Sequence, residues 1–564
     1  MDTQRLRLIL LLIFTFCLVM LWDAWQKYFQ PKIAGSAPAV ASAQSAAPTP
    51  SGSLHAPSPT APETAAAPAA SDKLETIAVK TDLFTAYIAT QGGDIIRMLF
   101  NDYRDNVDKS KPFALFDSKH RYIAQSGLIG ENLPNHKTLF SASPGKYELA
   151  ADAQTVQLRL EAPAVNGVKI SKLYTFTRGS YLIDVVHEID NHGDKAIATH
   201  AYYKFQRDTK APDGESSMVS TFTGPAVYTD KERYQKVTFD DIVKGHAKFA
   251  NKADDGWIAM VQHYFVSAWL PESGLAREYY IRKLDGGTEP IISAGVIVPV
   301  PAVAAGAKGV FAVPLFAGPQ VQSTLDRLAK PRAEGGVGAQ GLPLVVDYGW
   351  LTVIAAPIFW CLEAIHKVVG NWGWAIVLLT VAIKLLFFPL SAASYKSMAK
   401  MRTVTPRLME LKERYGDDRQ KLNTEMMALY KREKINPLGG CLPIAVQIPV
   451  FLALYWALLG AVEIRDAPWI LWIKDLSAAD PYYVLPVVMV ATMLIQTKLN
   501  PTPPDPIQAK VMMMMPFIFG AMFFFFPAGL VLYWVVNNIL SIAQQWQITR
   551  MIEGGGKAAN DSKA

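Results

Sequence analysis

Residues 372–390 read WGWAIVLLTVAIKLLFFPL. The stretch is apolar and long enough to cross a bilayer, which takes about 20 residues at ~1.5 Å of rise each. Yet it carries one full charge, Lys384, six residues before its end. That places the ammonium roughly 9 Å from the end, inside the hydrocarbon zone. A charge there costs ~2.5–3.5 kcal/mol on insertion scales, so it points to function. The plainer alternative is snorkelling, in which the lysine stem climbs to the headgroups.

The flanks differ in character. Residues 345–369 have the hydropathy of a span but carry Glu363, His366 and Lys367, spaced to share one helical face. That face lies opposite Trp350, Ile354, Ile358 and Leu362, and Pro357 would kink the helix. An amphipathic helix lying along the outer membrane surface, within residues 341–370, fits better than a crossing. After residue 390 the chain turns polar and helical through 437. Gly416 with Asp417 and Asp418 reads as the stop of one helix and the cap of the next. Leu408, Leu411, Leu422, Met426 and Leu429 supply a narrow apolar seam, which predicts a helical hairpin over 391–437.

Charge sets the topology. Residues 391–437 hold 11 Lys and Arg against 6 Asp and Glu, whereas residues 461–481 hold 2 against 4. The positive-inside rule then puts the hairpin in the cytoplasm and the later loop outside. Residues 438–549 supply four further spans: 438–462 (with Pro443, Gln447 and Pro449), 482–497, 511–526 and 529–548. LNPTPPDPIQ makes a stiff turn between the second and third of these, and residues 550–564 form a short cytoplasmic tail.

The N-terminus, MDTQRLRLILLLIFTFCLVMLW, has a basic start and an apolar run. Bulky aromatics follow where a cleavage site needs small residues, so residues 1–30 read as an uncleaved signal anchor. Arg5 and Arg7 hold its start in the cytoplasm. Residues 31–70, almost all Ala, Pro, Ser and Thr, form an extended tether. From 71 to 340 the pattern changes to period two. VKISKLYTFTRGSYLIDVVHEID and its neighbours alternate apolar with polar residues, and Gly92-Gly93, Asn166-Gly167 and Asn191-His192-Gly193 mark turns. A large antiparallel β-sandwich is expected there, outside the inner membrane.

The fold class is therefore a polytopic α-helical membrane protein of six spans, both termini cytoplasmic, with a large external β domain. Hydrophobic content of 51% against 18% charged residues rules out a single soluble domain. Cys17, Cys361 and Cys441 are too far apart for a metal or redox motif. No nucleotide loop, zinc-protease or nucleophile-elbow motif occurs, and no metal or cofactor is called for. In the β domain His120, His187 and Asp184 could be cast as an acid/base set for a sugar; without a spaced motif they read as ordinary strand and loop residues.

Thr380 and Lys384 share a helix face, as do Asn537, Ser541 and Gln544. With Gln447, Gln496 and Asn538 they could line a wet, cation-bearing cavity in the cytoplasmic half of the bilayer. Alternatively each amide only bonds helix to helix, worth ~0.6 kcal/mol on average. Met512 to Met515 with Phe517, Phe519 and Phe523 to Phe526 offer a soft apolar surface suited to varied partners or to plain packing.

The run SYKSMAKMRTVTPRLMELKERYGDDRQKLNTEMMALYKREKINPLGGCLPIAVQIPVFLALYWAL resembles the YidC membrane protein insertase family. VDYGWL, VGNWGWAI, WIKDLSAADPYY and FPAGLVLYWVVNN extend the match, and the anchor, tether and β domain give the layout of Gram-negative members, with the β domain periplasmic. The resemblance implies a five-span core around a hydrophilic groove. A groove arginine of the family falls on Lys384, a threonine on Thr380, and an aromatic pair on Tyr533 and Trp534. Lysine keeps the charge but loses the bidentate fork of arginine. The implied partners are nascent membrane proteins, membrane lipids, the Sec translocon including SecD–SecF, and the ribosome through the hairpin; the short tail lacks the long basic extension some relatives use for the ribosome. The expected function is an insertase and chaperone in the inner membrane, with no enzyme chemistry. A small-anion or solute transporter using Lys384 is the alternative, although no internal repeat marks it. A membrane-tethered sugar-binding module is a third reading.

Overall fold

The structure is a computed structural model that describes residues 75–214, 221–284, 289–416, 418–433, 442–500 and 506–561. The expected anchor (1–30), the tether (31–70), the NPLGGC stretch and half of the LNPTPPDPIQ turn lie outside the described residues.

Alternation builds the β domain. In the strand Val168–Thr177, Ile170, Lys172, Tyr174 and Phe176 are buried while their neighbours are more exposed. Among the described residues twenty strands assemble into two ten-stranded sheets. Every pairing is antiparallel except that of Thr76–Lys80 with Tyr147–Glu148. In the first sheet the long strand Ile197–Asp208 lies between Ile123–Ile129 and Ile291–Val303; in the second, Leu182–Asn191 lies between Val168–Thr177 and Leu315–Pro319. The sheets pack face to face through aromatic rings, with Phe100 stacked on Phe265 at 5.2 Å and Phe84 edge-on to Phe176 at 6.1 Å. The Asn166-Gly167 turn has positive φ at both positions, 51° and 76°, as a two-residue hairpin turn requires.

Ten helices are present among the described residues: α1 (Phe239–Val243), α2 (Gln322–Ala329), α3 (Thr352–Val369), α4 (Trp372–Leu386), α5 (Phe388–Tyr415), α6 (Arg419–Arg432), α7 (Leu442–Gly460), α8 (Val484–Leu499), α9 (Pro506–Phe523) and α10 (Ala528–Asp561). α10 packs on α4, α5 and α8, and α3 packs on α4 and α7. α3 ends at Gly370, left-handed at φ 70°, and Asn371 caps α4 by accepting from the Trp374 N–H at 3.1 Å.

Three expectations shift. The stretch 372–390 is not one helix: α4 ends at Leu386, and α5 leaves at a bend of 66°. Pro389 explains the break, since it lacks an N–H and fits only the first turn of a new helix. The hairpin therefore begins at Phe388 rather than 391. On α3 the buried stripe is Ala355, Phe359 and Leu362, with Ile354 and Ile358 half-buried, about one position round from the predicted face. α3 is also the one described helix that is long and apolar enough by itself to cross a bilayer; the bent α4–α5 pair passes only together, and the apolar parts of α7, α8 and α9 are shorter. Finally, α10 continues past 549 through the expected tail to Asp561.

α5 and α6 pack on each other. The Asp418 side chain accepts from the Lys421 N–H at 3.0 Å, capping α6, and Val404, Leu408 and Leu429 are buried between α5 and α6.

Candidate functional site

α4 presents Thr380 and Lys384 on one face, and both are buried, at 1% and 4% exposed. Thr380 Oγ1 donates to the Ile376 carbonyl of its own helix at 2.7 Å, so its hydroxyl is spent locally. Lys384 reaches across to α10, where its Nζ donates to Ser541 Oγ at 2.7 Å. Ser541 in turn donates to the Asn537 carbonyl one turn earlier, also at 2.7 Å. Asn537 Oδ1 accepts from Gln447 Nε2 of α7 at 3.4 Å, and Tyr395 of α5 lies beside Ser541. The ammonium of α4 meets Ser541 of α10, and α5 and α7 reach the same stretch of α10 through Tyr395 and Gln447.

Among the described residues Lys384 forms no ion pair, and a neutral hydroxyl is its hydrogen-bond partner. A buried charge is stabilised by an opposite charge or by several dipoles, and Ser541 supplies one dipole. The ammonium has three donors, and the Ser541 hydroxyl takes one of them.

The polar residues of α10 divide between two faces. Ser541 meets Lys384, Asn537 one turn earlier meets Gln447, and Gln544 continues that face with its Oε1 buried and unpaired among the described residues. Asn538 instead donates to Thr492 Oγ1 of α8 at 3.1 Å, and Gln545 donates to the Leu499 carbonyl at 3.1 Å. Those two are helix-to-helix bonds of the plain kind. Tyr533 and Trp534 do not join the lysine: Tyr533 stacks on Phe451 at 5.9 Å, and Trp534 meets Phe451 edge-on at 4.4 Å and Phe523 at 5.0 Å. They form an aromatic layer between α7, α9 and α10. The part played by Tyr395 had no signal in the sequence, because only the bend after α4 brings α5 back to this point.

In the β domain His120, His187 and Asp184 each have separate surroundings. His120 Nδ1 sits 3.2 Å from Asp208 Oδ1, while His187 Nδ1 sits 3.2 Å from the Tyr203 hydroxyl. Burial pushes the His187 imidazole down to about 3. Asp184 lies on the opposite face of the His187 strand, its carboxyl raised by partial burial. Among the described residues no group of His, Cys, Asp or Glu could hold a metal.

Two family models match: the YidC periplasmic domain over residues 76–361, and the 60Kd inner membrane protein over residues 364–555. The chain is 62% identical to the membrane protein insertase YidC of Dechloromonas aromatica (strain RCB), covering 100% of both chains. It is 56% identical to that of Aromatoleum aromaticum, covering 98% of each. A crystal structure of an active YidC insertase with its first transmembrane domain resolved aligns at TM-score 0.40 and 19% identity, over 84% of this chain and 92% of that one. The sequence matches carry the assignment, and they give the transporter reading no support. With a periplasmic β-rich domain, a helical C-terminal region and insertases as its full-length relatives, the chain belongs to the YidC membrane protein insertase family of the bacterial inner membrane.

Proposed function

We propose that Lys384 is the attracting charge of this insertase, drawing acidic or polar segments of a nascent membrane protein into the space between α4, α7 and α10. The observation that carries the reading is the buried ammonium held by a neutral hydroxyl. An arriving carboxylate would offset the charge better than Ser541 does, so binding is favourable without any energy source. The polar segment then crosses a shortened hydrophobic path, while apolar parts of the client slide past α7 and α9 into lipid. Clients are held and moved without covalent chemistry, so no catalytic residue is assigned.

The topology proposed with it has six spans, both termini cytoplasmic, and α3 flat at the outer surface. Contacts between residues 461–475 and the β domain support an outer position for that loop. The hairpin α5–α6 would receive the client or the ribosome, lipids would flank the core, and the Sec translocon with SecD–SecF would cooperate in some insertions.

The test is depletion of the protein and rescue with Lys384→Ala, Lys384→Glu and Lys384→Arg, scoring integration of small proteins with acidic outer tails. Arg should rescue, Ala should rescue poorly and Glu should fail. If Glu rescues as well as the native lysine, the electrostatic account is wrong.

A further inference from the structure

The loop between α7 and α8 joins the β domain to the heads of two helices. Its Val462 is buried in the main β-domain core, at 1% exposed. Glu463 Oε1 accepts from the backbone N–H of Gln322, the first residue of α2, at 3.1 Å. The Arg465 side chain is 1% exposed; its guanidinium donates to the Arg104 carbonyl and lies 5.0 Å from the Phe113 ring, 5.3 Å from Phe265 and 5.6 Å from Tyr264. At the rim Lys109 pairs with Asp466 at 2.8 Å and Asp475 at 3.4 Å.

The other side of the same loop grips α4 and α10. Asn371 Nδ2 donates to the carbonyls of Pro468, at 3.1 Å, and Trp469, at 3.2 Å. The Trp469 indole lies directly on Gly373 in the first turn of α4. The Ala528 N–H donates to the Ala478 carbonyl at 2.7 Å and the Gly529 N–H to the Leu476 carbonyl at 2.9 Å, at the head of α10. α4 and α10 are the helices whose side chains meet at Lys384 and Ser541.

We propose that Arg465 is a positioning residue for insertion: by locking this loop to the β domain it sets the spacing of α4 and α10, and with it the contact between Lys384 and Ser541. Lys384 stands ~18 Å along α4 from Trp372, and a close-packed helix passes a displacement of its head down to that point. Lysine at 465 would keep a cation against the three rings but lose the planar fork that also reaches the Arg104 carbonyl. The inference rests on the Lys384 reading for its effect on insertion, but not for its effect on geometry.

The experiment uses the full-length protein in inner-membrane vesicles, with Cys17, Cys361 and Cys441 replaced by serine. Spin labels go on cysteines at Leu378 of α4 and Ile539 of α10, both exposed and outside the site. Arg465→Ala should lengthen and broaden the distance between labels and cut insertion several-fold, with the β domain still resistant to protease. Arg465→Lys should restore part of both, and Lys109→Ala at the rim should give a smaller change in the same direction. Lys384→Ala should cut insertion and leave the distance unchanged. An unchanged distance in Arg465→Ala overturns the positioning role, whatever happens to insertion. Normal insertion in Lys384→Ala overturns the Lys384 reading instead.

Discussion

Lys384 of α4 and Ser541 of α10 lie 157 positions apart in the chain, and their Nζ and Oγ atoms stand 2.7 Å apart. Ser541→Ala leaves a buried ammonium without its hydroxyl, at a penalty of about 1–3 kcal/mol. Thermal unfolding in detergent should show that loss, and Ser541→Thr should recover most of it. Ser541→Asp separates stability from function. A carboxylate there pairs with Lys384 internally, so insertion of acidic-tailed clients should fall to the level of Lys384→Ala while the melting temperature holds. A fully active Ser541→Asp would show that the free charge is not what clients use.

Asp480 organises the N-terminal end of α8. It is 1% exposed, and its Oδ1 accepts from Trp472 Nε1 and the Tyr482 N–H, both at 3.0 Å, while Oδ2 accepts from the Leu485 N–H at 2.8 Å. Between them Tyr483 sits in the left-handed region at φ 56°, a conformation the carboxylate holds in place. Asp480→Ala leaves three donors without their acceptor and should lower stability by at least ~3 kcal/mol, at about 1–3 kcal/mol per unsatisfied group. Asp480→Asn keeps one acceptor and should fall between. Equal melting temperatures for the two variants would argue against this account.

Docking of the β domain should depend on pH through Glu463 and His263, in opposite directions. Burial pushes the Glu463 carboxyl up to about 7, with repulsion from Glu363 adding to it and the Gln322 N–H opposing it. The docked state therefore binds that proton more tightly than the free loop. Its contribution to docking is full below the ordinary value of 4.5 and is lost as pH rises through about 7. His263 of the β domain meets the Leu459 carbonyl of α7 through Nε2 at 2.9 Å, and burial pushes its imidazole down to about 4, so its contribution is full above 6.5 and is lost as pH falls through about 4. Protease cleavage of the segment between α2 and α3 should be slowest between these limits. Glu463→Gln should remove the loss on the alkaline side, worth about 3 kcal/mol at most, and leave the acid side intact.

The local features of this fold were legible from residue patterns, and the long-range ones were not. Period-two alternation located the β domain, and Asp418 announced its own cap. The shared face of Asn537 and Ser541 came from helical spacing alone. By contrast, Pro389 sits in a run so apolar that a continuous span was the natural reading, although the proline had already marked the break at Phe387. Lys172 alternates inward like an apolar residue. It is tolerated there because its ammonium donates to the carbonyls of Gly92, at 2.7 Å, and Ser126, at 2.9 Å, partners that only the folded sheet supplies. The resemblance puts Tyr533 and Trp534 on the family's aromatic pair; in the fold they pack on Phe451, eight and seven residues before Ser541, ~12 Å and ~10 Å along α10 from the lysine's partner. The grip of residues 461–483 on two helix heads leaves no pattern at all, since it is made largely by backbone carbonyls.

That grip can be tested where it is tightest. Gly373 lies in the first turn of α4, and a Cβ added there would fall inside contact distance of the Trp469 indole. The ring is also edge-on to Trp374 at 5.9 Å and its carbonyl is held by Asn371, so it cannot simply swing away. Gly373→Ala should therefore overpack the junction, at about 1–3 kcal/mol, despite alanine being the better helix former. Trp469→Ala alone should also destabilise, by opening a cavity. The double variant should be more stable than the sum of the two losses, because each change relieves the strain or fills part of the space the other creates. A thermal-unfolding cycle over the four proteins gives the coupling directly. Additive losses would mean that the indole moves freely over α4, and then the loop could not hold the head of the helix that carries Lys384.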